Sequence, residues 1–397
     1  MSKKVDWTKV SEGTKAIWSG ELDCFQDHAS QMPVVLSVAY GYEDLDEWYD
    51  VALGKKKGHI YSRNTNPTTE LFEEKMRIIE NAEASTSFST GMAAISNTLF
   101  ALLKPEDRVV SIKDSYGGTS KIFLDFLPKN KVNVVLCETG NHEEMEAEIA
   151  KGCKLVYLET PTNPTLKIID IQRIVKAAKK VGAIVVVDNT FSTPINQKPL
   201  DLGADISLHS ATKFLGGHSD ATAGIVCGSK ELVQKIFHYR EITGATIHPL
   251  TSYLLVRSLK TLELRIQRHN ENALELAKYL DNHEKIEHVF YPGLESHPGH
   301  AIAKKQMKGF GGVLSFTLKG DYNTVKKFLP KLNFAHMAAS LGAVGTLAGP
   351  PKTTSHVELT EEQRAQLGIP ESLIRYSVGI ENINDLIADF EQALSQI

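Results

Sequence analysis

AIVVVDNTFSTPINQKPLDLGADISLHSATKFLGG, residues 183–217, sets the fold class. It holds two short apolar runs, AIVVVD (183–188) and DISLHS (205–210), and each closes on a polar residue. Runs that are apolar at successive positions, bounded by turns, are strands buried on both faces, as in a parallel sheet covered by helices. The texture repeats on either side. Upstream lie RVVSI (108–112), VNVVLC (132–137) and KLVYLE (154–159), and downstream lies TAGIVC (222–227). Helical stretches such as IQRIVKAAKKVG (171–182) separate several of them. This alternation predicts an α/β domain with a large, mostly parallel sheet over residues 64–260.

At the front of that zone, Asn66-Pro67 reads as a helix N-cap followed by proline at the first helical position, and Phe72, Met76 and Ile79 recur at helical spacing. Residues 1–63 are mixed in texture and end in the polar, turn-rich GKKKGHIYSRNTNPT (54–68). They read as an N-terminal arm reaching a neighbouring subunit. From 261 onward the texture changes again. A long helical stretch covers 252–281, followed by an apolar strand (GGVLSFTL, 311–318), a loop region (335–360) and an amphipathic helix (382–395). This predicts a smaller C-terminal α+β domain over 261–397.

Composition narrows the function classes. A chain of 397 residues is too long for one ordinary domain. Its net charge of -4 offers no basic footprint for nucleic acid or an anionic membrane. The longest apolar run, 181–187, is far short of the roughly 20 residues that span a bilayer. MSKKVDWTKVSEG carries no apolar signal core, so a cytoplasmic location is expected. Cys24, Cys137, Cys153 and Cys227 form no CxxC pair and no disulfide framework. Cys137 and Cys227 lie in apolar runs and are expected to be buried thiols. No metal site is expected, because no His or Cys pair falls at zinc spacing.

In parallel α/β sheets, ligands bind beyond the carboxyl ends of the strands. One strand closes at Asp188, and another at Ser210, with Lys213 just beyond it. Either residue alone would ordinarily be a surface lysine or a capping aspartate. Together they suit pyridoxal phosphate, which needs a lysine amine for its aldehyde and a carboxylate beside its pyridine nitrogen. The cofactor's phosphate needs hydroxyls and backbone N–H groups at a helix start. Ser210 and Thr212 could supply hydroxyls. Thr90-Gly91-Met92 opens an apparent helix, and glycine lets the backbone come close. A nucleotide-binding reading is disfavoured, since neither GxGxxG nor GxxxxGK[ST] occurs and GFGG (309–312) precedes a strand.

YSRNTNPT (61–68), STGMAA (89–94), DSYGGT (114–119), YLETPTNP (157–164), VVVDNTF (185–191) and HSATKFLGGHSD (209–220) resemble the successive motifs of the Cys/Met-metabolism family of pyridoxal-phosphate enzymes. YPGLESHPGH (291–300), GFGGVLSF (309–316) and IRYSVGIEN (374–382) extend the resemblance to about residues 30–395. That family includes cystathionine γ-synthase, cystathionine γ-lyase, methionine γ-lyase and O-acetylhomoserine sulfhydrylase. The resemblance implies the type I fold of pyridoxal-phosphate transferases, like that of aspartate aminotransferase. It implies Lys213 as Schiff-base lysine and proton shuttle, Asp188 as partner of the pyridinium nitrogen, and Tyr116 as ring-stacking acid or base. Gly91, Met92, Ser210 and Thr212 would bind the phosphate. Tyr61 and Arg63 would bind the phosphate in the neighbouring subunit, so that the site requires a dimer, assembled further into a tetramer. Asn163 would bond near the ring's phenolic oxygen, with Glu159 in support, and Arg375 with Ser340 would grip the substrate α-carboxylate. A structural ion pair is the other reading of Arg375.

The resemblance implies an amino-acid substrate and γ-elimination or γ-replacement on an O-acylhomoserine, homocysteine or methionine-like compound, with cystathionine itself as the alternative. A catalytically inactive relative used as a binding subunit is the alternative from another class. Gly118 stands where methionine γ-lyases typically carry Cys, while Ser219 is more like the cystathionine enzymes. Ala339 stands where cystathionine enzymes often carry a Glu suited to a distal ammonium group. ITGATIHP (242–249) resembles the methionine γ-lyase segment, with Arg240-Glu241 where that branch has Lys-Asp. Gly345-Thr346 and Thr251 also depart from the family's usual residues.

Overall fold

The computed structural model describes residues 5–21, 29–357 and 359–397; Cys24 lies outside them. Strands β1 (Ala84–Phe88), β2 (Arg108–Ile112), β3 (Asn133–Cys137), β4 (Leu155–Glu159), β5 (Ile184–Asp188), β6 (Ile206–Ser210) and β7 (Gly224–Gly228) form one sheet in the order β1-β7-β6-β5-β4-β2-β3. From β3 to β6 every pairing is parallel, as the apolar runs predict. At the other edge β7 runs antiparallel to both β6 and β1. The sheet is therefore mixed. Residues 211–223 carry no helix that could return the chain to the start of β6, so the next strand enters from the opposite end. β1 escapes the sequence pattern because ASTSF has a single large apolar residue, Phe88.

Both faces of the sheet are covered. The helix Gly91–Leu102 buries Ile95 and Leu99 with Tyr157, Val186 and Leu208, while Ile171–Lys180 buries Ile174 and Val175 with Val156, Val185 and Val187 on the opposite face. Cys137 and Cys227 are buried free thiols, as expected.

A second sheet is built from β8 (Ile286–Phe290), β9 (Val313–Leu318), β10 (His336–Met337), β11 (Leu347–Gly349) and β12 (Leu373–Ser377), ordered β10-β11-β12-β9-β8. The stretch 335–360, expected to be loop, thus contributes two short strands. The helical stretch 252–281 is broken at Lys260-Thr261 into Pro249–Leu259 and Leu262–Asp281. The reason is that its halves serve different cores. Leu255, Val256 and Leu259 pack beneath the first sheet, and Leu276 and Leu280 pack against the second. Arg265 fills the break, donating to Ser258 O at 2.9 Å and Phe214 O at 2.7 Å.

The N-terminal residues divide into two parts. The helix Glu12–Trp18 folds back on its own chain. Buried Lys75 donates to Ala16 O and Ile17 O, both at 2.9 Å, and pairs with Glu21 at 3.0 Å. Further on, Leu36, Val38, Leu45, Tyr49 and Tyr61 are exposed. No helix among the described residues is long and apolar enough to cross a membrane.

Candidate active site

The carboxyl edge of the first sheet meets the second sheet around a cavity of about 940 Å³, open mouth included. β5 ends in Asp188 and β4 ends in its register partner Glu159. Asp188 is buried and accepts from Thr190 Oγ1 at 2.6 Å, Thr190 N at 3.1 Å and the Tyr157 hydroxyl at 3.2 Å. Burial pushes its pKa up, and the Thr190 hydrogen bonds oppose that shift. Glu159 accepts from Tyr116 N at 2.8 Å and Asn163 N at 3.1 Å, so one carboxylate ties two loops to the strand end. Burial, then the charge of Asp188, hold it well above the usual carboxylate range.

Lys213 sits in the loop beyond β6, and its Nζ donates to Ser340 Oγ at 3.1 Å. Burial, then the nearby Arg375 charge, push its pKa down to about 8. A lysine so poised exists in part as the free amine near neutral pH, the form that attacks an aldehyde. Arg375 projects from β12 and donates to Asn163 Oδ1 at 3.0 Å and Ser340 O at 2.8 Å. It is 6% exposed and makes no ion pair with a described carboxylate, so the structural ion-pair reading finds no partner. A buried guanidinium with only neutral partners, here in a cavity wall, suits an anion.

At the opposite wall, Thr90 caps the helix Gly91–Leu102 by accepting from Ala93 N at 3.0 Å. The Gly91 and Met92 N–H groups have no partner within the helix. The backbone approach here is close, since a Cβ on Gly91 would fall 2.6 Å from Ser210 Cβ.

The cavity brings together Gly91, Met92, Tyr116, Glu159, Asn163, Asp188, Ser210, Thr212, Lys213, Ser340 and Arg375. Tyr61 and Arg63 are not among its lining. Both are exposed, and Arg63 donates to Glu241 O. The Thr212 hydroxyl is already engaged, donating to Ala223 O at 3.2 Å and accepting from Ala223 N at 2.9 Å. Sequence reasoning missed Thr190 and Tyr157, which hold the Asp188 carboxylate, and Phe191 and Thr354 in the lining. Thr190 had a signal, a hydroxyl two residues beyond the strand-end aspartate. Tyr157 had only the alternation of its strand. Gly345 and Thr251 do not line the cavity. Thr346 instead braces Glu381, with its N–H at 2.7 Å and its hydroxyl at 3.0 Å. Gly118 lies against the site, since a Cβ there would fall 2.7 Å from Met92 Sδ and 3.0 Å from Tyr116 Cε1.

These residues fit pyridoxal phosphate. The buried Asp188 carboxylate wants a cation beside it, the amine of Lys213 is within the same cavity, and the glycine-opened helix start suits an anion. The chain is thus of the class of enzymes built around that cofactor.

Residues 13–395 match the family model described as Cys/Met metabolism PLP-dependent enzyme, and the chain belongs to that family. It is 42% identical over 392 residues to an L-methionine gamma-lyase of Fusobacterium nucleatum subsp. polymorphum, covering 98% of this chain and 99% of that one. It is 44% identical over 345 residues to a cystathionine gamma-lyase of Bacillus subtilis, covering 87% of this chain and 90% of that one. Its fold matches the crystal structure of cystathionine gamma synthase from Xanthomonas oryzae pv. oryzae in complex with cystathionine, with a TM-score of 0.92, 38% identity and 98% of each chain covered.

Proposed function

We propose that the enzyme breaks the bond between Cγ and its heteroatom in homoserine- or homocysteine-derived amino acids whose γ-substituent carries no distal cation, by elimination or by replacement. The observation that carries this reading is the cavity lining. Its acidic residues are Glu159 and Asp188, both buried at strand ends and engaged with loop partners. At position 339 there is only an alanine methyl, so among the described residues no further carboxylate of the lining awaits a distal ammonium. O-Acylhomoserines, homocysteine and methionine meet that condition.

Pyridoxal phosphate, when bound, supplies an electron sink for charge that develops on the substrate carbons. Asp188 would hold its ring nitrogen, Gly91, Met92 and Ser210 its phosphate, and Tyr116 its face. Arg375 grips the substrate α-carboxylate and so fixes which Cα bond faces the lysine. Lys213, freed from Ser340, carries protons from Cα and then Cβ, since loss of a γ-substituent requires both. Tyr116, exposed in the cavity lining, would give a proton to the leaving heteroatom. Tyr61 and Arg63 serve the phosphate of a neighbouring copy, which makes the working unit at least a dimer. Their distance from their own cavity and the exposed apolar residues of 36–61 support this.

Cystathionine is the second reading, favoured by the 38% identical relative solved with that compound. A product assay decides between them. Purified holoenzyme is offered methionine, cystathionine, and O-acetylhomoserine with sulfide or cysteine, and 2-oxobutyrate, ammonia, homocysteine and cystathionine are quantified. Higher kcat/KM for methionine or O-acetylhomoserine supports the proposal. Turnover confined to cystathionine overturns it.

A further inference from the structure

We propose that Thr190 is a positioning residue: its hydroxyl fixes which oxygen of Asp188 is left for the cofactor's ring nitrogen, and ties that carboxylate to the strand end that carries Ser210. This rests on the reading of Asp188 as the nitrogen's partner.

The loop around Thr190 holds it in place. Asn189 N donates to Leu208 O at 2.8 Å and so extends the β5–β6 pairing by one residue. The buried Asn189 side chain donates to Gln197 O at 2.7 Å and accepts from Gln197 Nε2 at 2.9 Å, which pins the chain beyond β5. Thr190 therefore stands beside Ser210, whose backbone N donates to Thr190 Oγ1 at 2.8 Å. An N–H group can only donate, so the threonine oxygen accepts there and its one proton goes to Asp188, at 2.6 Å. The direction of the chain from Ser210 N–H through the Thr190 hydroxyl to Asp188 is thus set.

Lone pairs decide which oxygen stays open. A carboxylate oxygen accepts about two hydrogen bonds. One oxygen of Asp188 takes both the Thr190 hydroxyl and Thr190 N, the latter at 3.1 Å, and is full. Among the described residues the other oxygen takes only the Tyr157 hydroxyl, at 3.2 Å, and keeps one acceptor site. That oxygen is the one open to the ring nitrogen. Burial disfavours the charged carboxylate, and the Thr190 hydroxyl leads the groups that oppose it, ahead of the Thr190 N–H, His209 on β6 and Tyr157 on β4. The other titratable groups around the cavity are Glu159 at the end of β4 and Tyr116, Lys213 and Arg375 in the wall. Without the Thr190 hydroxyl, the proton between Asp188 and the ring nitrogen shifts toward the carboxylate.

The test uses holoenzyme loaded with cofactor that carries an NMR-active isotope in its ring nitrogen. The resonance should report a protonated nitrogen in wild type and in Thr190→Ser, and should move toward the unprotonated position in Thr190→Val. The cofactor's dissociation constant should rise roughly 10–150-fold in Thr190→Val and stay within about threefold of wild type in Thr190→Ser. An unmoved resonance in Thr190→Val, even with weaker binding, marks a merely structural threonine and overturns the proposal. An unprotonated nitrogen in wild type, or a resonance that Asp188→Asn leaves unchanged, sinks the reading of Asp188 and the proposal with it. A crystal structure of wild-type holoenzyme checks the same point without a variant. The ring nitrogen should lie against the Asp188 oxygen that Tyr157 touches, and a nitrogen against the oxygen that Thr190 touches overturns the proposal.

Discussion

Ser340 touches both Lys213 and Arg375, taking the lysine Nζ on its hydroxyl at 3.1 Å and the arginine Nη2 on its backbone oxygen at 2.8 Å. One residue of the second sheet's loop therefore sets the spacing between the Lys213 amine and the Arg375 guanidinium. The two cations come from different sheets, so their separation depends on how the sheets pack and not on any local motif.

Arg375→Ala should damage amino-acid binding and leave the cofactor in place. Loss of a charge-assisted pair of about 1.5–3 kcal/mol corresponds to roughly 10–150-fold in KM. Steady-state kinetics with a resting absorption spectrum checks this. An altered resting spectrum with normal KM would contradict the assignment.

Gly91→Ala should weaken cofactor retention, because the added Cβ would meet Ser210 Cβ at 2.6 Å and Ser210 Cα at 3.0 Å. The helix start must then move off the strand end, and its N–H groups leave the anion. Dialysis followed by titration with pyridoxal phosphate should show at least a tenfold rise in the dissociation constant. Wild-type affinity would remove this wall from the phosphate site.

Arg63→Ala should also weaken cofactor retention, by roughly 10–150-fold, if the guanidinium serves a neighbouring copy's phosphate. Mixing Arg63→Ala with Lys213→Ala chains adds a sharper check. If sites are shared between copies, hybrid assemblies hold sites lacking both residues and sites lacking neither. Activity should then reappear in mixtures of two weak parents. No recovery after subunit exchange would refute the shared site.

His356 gives a pH prediction. Burial, then the charges of Arg375 and Arg364, push its pKa down from 6.5 to about 4. Between those values the unfolded chain binds a proton that the folded one does not. Its contribution to stability is therefore present above pH 6.5 and is lost as pH falls toward 4, at about 1.4 kcal/mol per pH unit. His356→Asn should flatten the pH dependence of urea unfolding by about that slope between pH 6 and 5. Equal slopes in both proteins would count against the burial of a neutral imidazole.

Much of the first sheet is legible in sequence because its central strands are buried on both faces and spell uninterrupted apolar runs. β1 is not legible: Ala84, Ser85, Thr86 and Ser87 earn their place by pairing with β7, a contact far away in the chain. The break at Thr261 is equally hidden, since both halves keep helical spacing and only the existence of two cores separates them. Strand-end residues are readable because topology places them: Asp188 and Lys213 follow from where the runs stop. The support behind them is not. Tyr157 reaches Asp188 across a strand neighbour, and Ser340 reaches Lys213 from the other sheet. Gly345 and Thr251 stand out in the sequence, yet the structure places neither in the cavity wall.

The account stands on a covalent bond between Lys213 Nζ and the cofactor's aldehyde carbon. Holoenzyme reduced with borohydride, digested and analysed by mass spectrometry should yield one pyridoxyl-phosphate adduct, on the peptide containing Lys213, and Lys213→Ala should yield none. An adduct on another lysine, or no adduct from a yellow, active preparation, would contradict it.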